Sequence, residues 1–477
     1  MKREQWGSRF GFIMAAAGSA VGLGNIWKFP YLAGTQGGGA FLVVYLVIMA
    51  TIGAALIMAE IAIGRSAKMN PVGAFRALGG RLWSVTGVIG VITGFLILSF
   101  YSVVGGWTIA YLVKSIAGTI ESAQPELLEA QFGGLVSAVW EPIFYHGAFM
   151  VLTMGIVIAG VAQGIERSVK VLMPLLFILL MVLVVRSVTL PGAWEGIEFF
   201  LVPDWSQVNG EMLRAALGQA FFSLSLGMGA MITYGSYLDK DADIPNASCW
   251  VVFLAALVGV LGGLLVLPAV FAFGMDPGAG PGLTFITLPA VFGEMIGGYL
   301  FQIIFFAMLL IAALTSSISL LAIPVAYFAE EYGIERKWSA IVVGIVIFLI
   351  GVPCSLALGV WGEYKLFDMN FFDLMVYAVD NYTLPIGGIL TSLFAGWVVL
   401  EKMGKELSND GSLTFKWMGA FTWIMRIVAP LAVVWVMLGG WLNYFVVLVW
   451  LNFLTLATRF MAPLAGAWEI LNGLLGS

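Results

Sequence analysis

The stretch Gly18-Ser19-Ala20-Val21-Gly22-Leu23-Gly24-Asn25-Ile26-Trp27-Lys28-Phe29-Pro30 decides how this chain is read. It lies inside a long apolar window, about residues 10–37, yet residues 18–25 hold three glycines and an asparagine. Such residues leave a helix free to unwind. Lipid satisfies no backbone N–H or C=O, so groups released at mid-membrane depth must meet protein, water, an ion or a ligand. Close helix packing through small residues is the alternative for this segment taken alone.

Five windows further on, Gly218-Gln219-Ala220-Phe221-Phe222-Ser223-Leu224-Ser225-Leu226-Gly227-Met228-Gly229 repeats the combination of small, hydroxyl and glycine residues. Two interrupted apolar segments in corresponding positions of two halves point to a transporter built from inverted repeats, with its site at the midplane. The N-termini of half-helices suit a substrate carboxylate, and freed carbonyls suit a cation. A third polar cluster, Thr315-Ser316-Ser317, interrupts an apolar run. With the carbonyl of Ala312 one turn earlier, its hydroxyls suit a small hard cation, although such residues also bond back to their own helix.

The rest of the chain sets the frame. Of 477 residues, 61% are hydrophobic and 10% charged, too apolar for a soluble core. Twelve membrane spans are expected, near 10–37, 40–64, 83–113, 146–162, 171–189, 215–237, 249–274, 296–328, 338–358, 371–400, 417–438 and 444–462, with eleven as the minimum because the last could lie at the interface. The fold class is therefore all-α membrane protein, one transmembrane domain over 1–477. The polar N-terminus is too short for a signal peptide, so the first span should be retained. A cytoplasmic N-terminus puts the basic clusters of Lys2–Arg9, Arg65–Arg81, Arg167–Lys170, Arg336–Lys337 and Lys402–Lys416 on one side, as the positive-inside rule asks, and points to the plasma (inner) membrane. A net charge of −5 offers no face for nucleic acid. Cys249 and Cys354 have no metal-ligand spacing, and His146, the sole histidine, is expected in a loop. No nucleophile–base or metal constellation of an enzyme is present in this pattern, nor the charged ring or filter loop of a channel.

Taken together, the motifs resemble the neurotransmitter:sodium symporter family, over about residues 2–435. The resemblance rests on Arg3-Glu4-x-Trp6, Gly18 to Pro30, Gly37-Gly-Gly-Ala-Phe41, Glu60 to Arg65, Tyr101 to Trp107, Gly164-Ile-Glu-Arg167, Gln219 to Tyr237 and Leu314-Thr-Ser-Ser317. It implies a 5+5 inverted-repeat fold with spans 1 and 6 unwound, repeats at about 8–190 and 210–402, and further helices over about 415–477. It also implies a substrate carboxylate at the backbone of Leu23 and Gly24 and the hydroxyl of Tyr101. The amino group is expected at carbonyls near Ala20, Phe222, Ser223 and Ser225. Ser19, Ile97, Phe222, Met228, Ser316 and Leu320 are expected to shape the side-chain pocket, with Phe222 as its lid.

By the same resemblance, the second sodium site is complete in Gly18, Val21, Ala312, Thr315 and Ser316. The first keeps Ala20, Asn25 and Ser223, but its span-7 ligand is replaced by Ala255, or by Leu254 in a register one residue away. Gly259, or Val258 in that register, stands where relatives carry the anion-site residue, so chloride dependence is not expected although Tyr45, Gln219 and Ser223 remain. At the outer gate Lys28 stands for the usual arginine and Val376 for its aspartate, leaving Asp380 or Asp373 to pair with it. At the inner gate Arg3 is expected on Glu330, beside Trp6, while Gly164 and Pro174 match a motif that allows span 5 to unwind.

Gly22 and Leu23 favour an α-amino acid, and flexible Met228 suits an aliphatic, cyclic or imino side chain. The expected function is Na+-coupled symport of a neutral amino acid, by a monomer or homodimer in the lipid bilayer. Proton coupling through Lys28, Glu60 or a span-10 aspartate, and a non-transporting sensor on the same fold, are the alternatives.

Overall fold

The structure, a computed structural model, describes residues 4–120, 124–275 and 283–439. Arg3 and the expected span at 444–462 lie outside the described residues. Helices account for every regular element among those residues, apart from two isolated β-bridges, Gly38 with Pro203 and Leu366 with Met369.

Span 1 starts where Ser8 caps it, its hydroxyl accepting from Gly11 N at 3.0 Å. It runs Arg9–Ala20, breaks, and resumes as Gly24–Thr35 at 52° to the first half, with Pro30 in the first turn of the α-helix Phe29–Thr35. Span 6 is capped by Asn209, which accepts from Glu211 N and Met212 N, both at 2.9 Å. It runs Gly210–Ser223 and resumes as Ala230–Gly235. Between the halves Ser225, Gly227 and Gly229 take φ of 52°, 78° and 79°, the left-handed region that the glycines enter freely and the serine does not. Both expected breaks are therefore present.

The other spans are Gly39–Ala67 (2), Arg81–Ile116 (3), Trp140–Ile158 (4), Val161–Val188 (5), Ile244–Ala272 (7), Gly298–Tyr332 (8), Arg336–Leu356 (9), Phe371–Val398 (10) and Met418–Gly439 (11). Spans 3 and 8 pack together along much of their length and flank the broken pair. Among the described residues eight helices are long and apolar enough to cross a membrane, ten if each bent pair is one crossing. Span 6 is the eleventh, made of two halves each shorter than a membrane crossing.

One expectation is overturned: His146 is not in a loop. Span 4 begins at Trp140, ahead of the apolar window, and Glu141 in its first turn pairs with Lys114 at 3.0 Å. This carries His146 into the bundle, fully buried, with Nε2 2.9 Å from Ser102 Oγ and its ring 4.7 Å from that of Phe348. Gly106 and Gly351 leave the space it fills.

Candidate functional site

The two breaks meet spans 3 and 8 around a small central cavity of about 30 Å³. Its lining is Ser19, Ala20, Gly22, Gly24 and Asn25 from span 1, Ile97 and Tyr101 from span 3, Phe222, Ser223, Ser225 and Met228 from span 6, and Ser316 and Leu320 from span 8. Every residue expected in the substrate pocket lines it except Leu23, which reaches it through its backbone: Leu23 N donates to Tyr101 Oη at 3.2 Å. The cavity is small because its hydroxyls bridge it. Ser19 Oγ donates to Ser319 Oγ at 2.7 Å, and Ser225 Oγ donates to the Ser19 carbonyl at 2.8 Å. Gly22 is part of the wall, where a Cβ would stand 2.5 Å from Ser316 Oγ and 3.1 Å from Tyr101 Oη.

Beside this cavity lies a cluster of neutral oxygens. Thr315 Oγ1 is 3.1 Å from the Ala312 carbonyl and 3.4 Å from that of Val21, while Ser316 Oγ is 3.3 Å from the Gly18 carbonyl. These are the five groups expected at the second sodium site. Carbonyls released by a broken helix and hydroxyls from a facing span are the ligand type that broken-helix transporters offer to Na+. Ser317, the third hydroxyl of the cluster, points elsewhere and bonds Thr153 Oγ1 at 2.8 Å.

The family model of the sodium:neurotransmitter symporters matches residues 3–126 and 144–453. The chain belongs to this family. It is 43% identical over 451 residues to YhdH of Bacillus subtilis strain 168, described as an uncharacterized sodium-dependent transporter, covering 92% of this chain and 97% of the relative. It is 33% identical to the uncharacterized sodium-dependent transporter MJ1319 of Methanocaldococcus jannaschii, covering 83% and 82%. The crystal structure of MhsT in complex with L-phenylalanine superposes with a TM-score of 0.85 at 45% identity, covering 91% of this chain and 99% of that one. The protein is thus a sodium-dependent symporter, not an enzyme, and its fold is the one expected.

The groups expected at the first sodium site are joined to one another by side-chain hydrogen bonds. Asn25 Nδ2 donates to the Ala20 carbonyl at 3.1 Å and to that of Ala255 at 3.4 Å, and Ser223 Oγ donates to Asn25 Oδ1 at 2.6 Å. Ala255 is the span-7 residue here, which supports the first of the two registers. Gly259 then faces Tyr45, its Cβ position 3.6 Å from Tyr45 Oη. Gln219 Nε2 donates to Ser223 Oγ at 3.0 Å and to the Gly24 carbonyl at 3.1 Å.

At the end of the cavity away from the N-terminus, Lys28 Nζ pairs with Asp380 at 2.9 Å and stands 5.0 Å from the Phe222 ring centroid. Asp373 is engaged instead by Asn370. At the N-terminal end Trp6 is buried, its Nε1 donating to the Tyr234 carbonyl at 2.9 Å, with Tyr237 beside it. Glu330 accepts from Asn70 N at 2.6 Å and Nδ2 at 3.1 Å; its expected partner Arg3 lies outside the described residues. Glu60, fully buried, accepts from Gly227 N at 2.8 Å and so holds the break of span 6.

Ser319 is a site residue that the motifs do not single out. It sits one turn beyond Ser316 on the same helix face, the i, i+3 relation that identifies it. A wider groove of about 710 Å³ on the flank, lined in part by Ala54, Cys249 and Phe421, lies away from the breaks.

Proposed function

We propose that this symporter imports a neutral α-amino acid with an apolar side chain, coupled to Na+ bound among Gly18, Val21, Ala312, Thr315 and Ser316. The observation that carries the reading is the pairing of that oxygen cluster with a cavity whose side chains are all uncharged. A zwitterion brings its own two charges. Its carboxylate would replace the Leu23 N–Tyr101 Oη bond, taking the N–H at the start of a half-helix and the phenol together. Its ammonium would take carbonyls near Ala20, Phe222, Ser223 and Ser225. Ile97, Met228 and Leu320 would meet an aliphatic, cyclic or imino side chain, and the L-phenylalanine in MhsT adds aromatic ones.

The first sodium site is proposed to couple poorly, because Ala255 supplies no side-chain oxygen where the family's span-7 ligand would stand. Chloride dependence is not proposed. The N-terminal end of the bundle is proposed to face the cytoplasm, across the inner membrane, so that Lys28–Asp380 and Phe222 close the outer side. A second reading, proton coupling, is favoured by one observation, that Glu60 is a fully buried carboxyl group held against the break of span 6.

The test is uptake of a labelled neutral amino-acid panel, including proline and phenylalanine, into proteoliposomes. Concentrative uptake under an imposed sodium gradient supports the proposal. Uptake driven only by a pH gradient moves the coupling to Glu60. Binding without uptake makes the chain a sensor.

A further inference from the structure

Span 4 lies at the edge of the bundle, with Phe144, Val151 and Leu152 exposed on its outer face. Its inner stripe, Pro142, His146, Phe149, Met150, Thr153 and Val157, recurs at helical spacing and packs against spans 3, 8 and 9. Two members of that stripe are polar. His146 meets spans 3 and 9, at Ser102 and Phe348. Thr153, fully buried, meets span 8 at Ser317, also fully buried, with 2.8 Å between the hydroxyl oxygens. Each hydroxyl also reaches a carbonyl of its own helix, Thr153 that of Phe149 at 3.0 Å and Ser317 that of Leu314 at 2.9 Å. A buried hydroxyl on a helix is satisfied by such a back-bond, so the contact between the two spans is more than burial alone requires.

The place of that contact on span 8 gives it a use. Successive residues of a helix are turned by about 100°, so while Thr315 and Ser316 face the break of span 1, Ser317 is turned away from it, onto span 4. The front contacts are long: 3.4 Å from Thr315 Oγ1 to the Val21 carbonyl, and 3.3 Å from Ser316 Oγ to the carbonyls of Gly18 and Ser19. The back contact, at 2.8 Å, is the short one. A side-chain oxygen stands about 5 Å from its helix axis, so turning span 8 by about 10° would carry Thr315 Oγ1 and Ser316 Oγ roughly 0.9 Å past the span 1 carbonyls. That is several times the spread of about 0.2 Å expected of ligand distances at a metal site.

We propose that Thr153 is a positioning residue for the sodium step: by holding Ser317 from behind, it fixes the rotation of span 8 and keeps Thr315 and Ser316 turned toward the carbonyls of Gly18 and Val21. The proposal rests on the reading of that oxygen cluster as the coupling site. Thr153 touches neither the cation nor the amino acid. It acts before the ion arrives, when the front of span 8 has only its long contacts to span 1. Once bound, the ion holds the same rotation from the front. Loss of the contact therefore raises the sodium concentration needed to fill the cluster.

The test follows thermal unfolding of the purified protein, without amino acid, as sodium chloride replaces choline chloride at constant ionic strength. The sodium-free midpoint reads the fold, and the sodium concentration at which stabilisation sets in reads the dissociation constant. Thr153→Val and Ser317→Ala are each expected to raise that onset by about five-fold, the worth of one neutral hydrogen bond. The double variant should add little to either, and Thr153→Ser should keep the parent's onset. His146→Ala, on the same stripe but against spans 3 and 9, should lower the sodium-free midpoint and leave the onset in place. An onset that moves in Thr315→Val but in neither Thr153→Val nor Ser317→Ala overturns the positioning role and leaves a packing contact. A shift of equal size in His146→Ala overturns it too, as general loosening. An onset that Thr315→Val also fails to move overturns the reading of the cluster itself, and the proposal with it. If Thr153→Val does not fold, Ser317→Ala carries the same decision, since Thr153 keeps its bond to the Phe149 carbonyl.

Discussion

Thr315→Val separates sodium coupling from folding more cleanly than any other single change. The substitution keeps the branched shape and replaces Oγ1, 3.1 Å from the Ala312 carbonyl and 3.4 Å from that of Val21, by a methyl. One of five oxygens offered to the cation is lost. A hydrogen-bond-strength interaction with a charged group contributes about 1.5–3 kcal/mol. At about 1.4 kcal/mol per decade, the sodium concentration for half-maximal uptake should rise roughly 10- to 100-fold. The cost to folding is smaller, about 1 kcal/mol, because the bonds lost are between neutral groups. The assay is sodium-dependent amino-acid uptake into proteoliposomes at fixed voltage, with monodispersity and thermal unfolding measured on the same preparations. A variant that folds and keeps the parent's sodium dependence would refute the assignment of coupling to this cluster.

Lys28→Met should barely move the unfolding temperature, because the Lys28–Asp380 pair is about a third exposed and such pairs contribute under about 1 kcal/mol. It should instead speed amino-acid release toward the Lys28 side several-fold, and Asp380→Asn should add little to it, which a double-mutant cycle on release rates checks. Gly22→Ala should weaken amino-acid binding by at least about ten-fold, since its methyl enters the wall beside Ser316 and Tyr101; isothermal calorimetry on folded, monodisperse protein reads this. His146→Ala should destabilise the fold by about 2–4 kcal/mol through the void it leaves between spans 3, 4 and 9, with KM unchanged in the fraction that folds; a shifted KM would place the residue in the site.

Sequence pattern and tertiary contact divide the information unevenly. Both helix breaks were legible because helix-opposing residues, glycine and asparagine at 18–25 and serine and glycine at 223–229, recur in corresponding positions of two halves, which packing of small residues alone does not call for. Tyr101 was named through the family resemblance, since a tyrosine in an apolar span reads otherwise as an interfacial anchor. His146 was not legible, because a lone histidine carries no periodic signal: its place depends on Ser102 offering a hydroxyl and on two distant glycines yielding space. The choice between Asp373 and Asp380 for Lys28 also needed coordinates, because both aspartates lie on span 10 and the phase of that helix decides.

The uncharged lining of the central cavity has an electrical consequence. If the cargo is a zwitterion with one Na+, the loaded pathway carries one net positive charge across the bilayer, and the same groups return with none. Membrane voltage then acts on the loaded step directly, at about 2.3 kcal/mol per 100 mV for each elementary charge. That is roughly a 50-fold concentration ratio at about 1.36 kcal/mol per decade. Turnover would therefore register as a current whose sign follows the sodium ion, and a cell with a dissipated potential would accumulate less amino acid even with its sodium gradient intact.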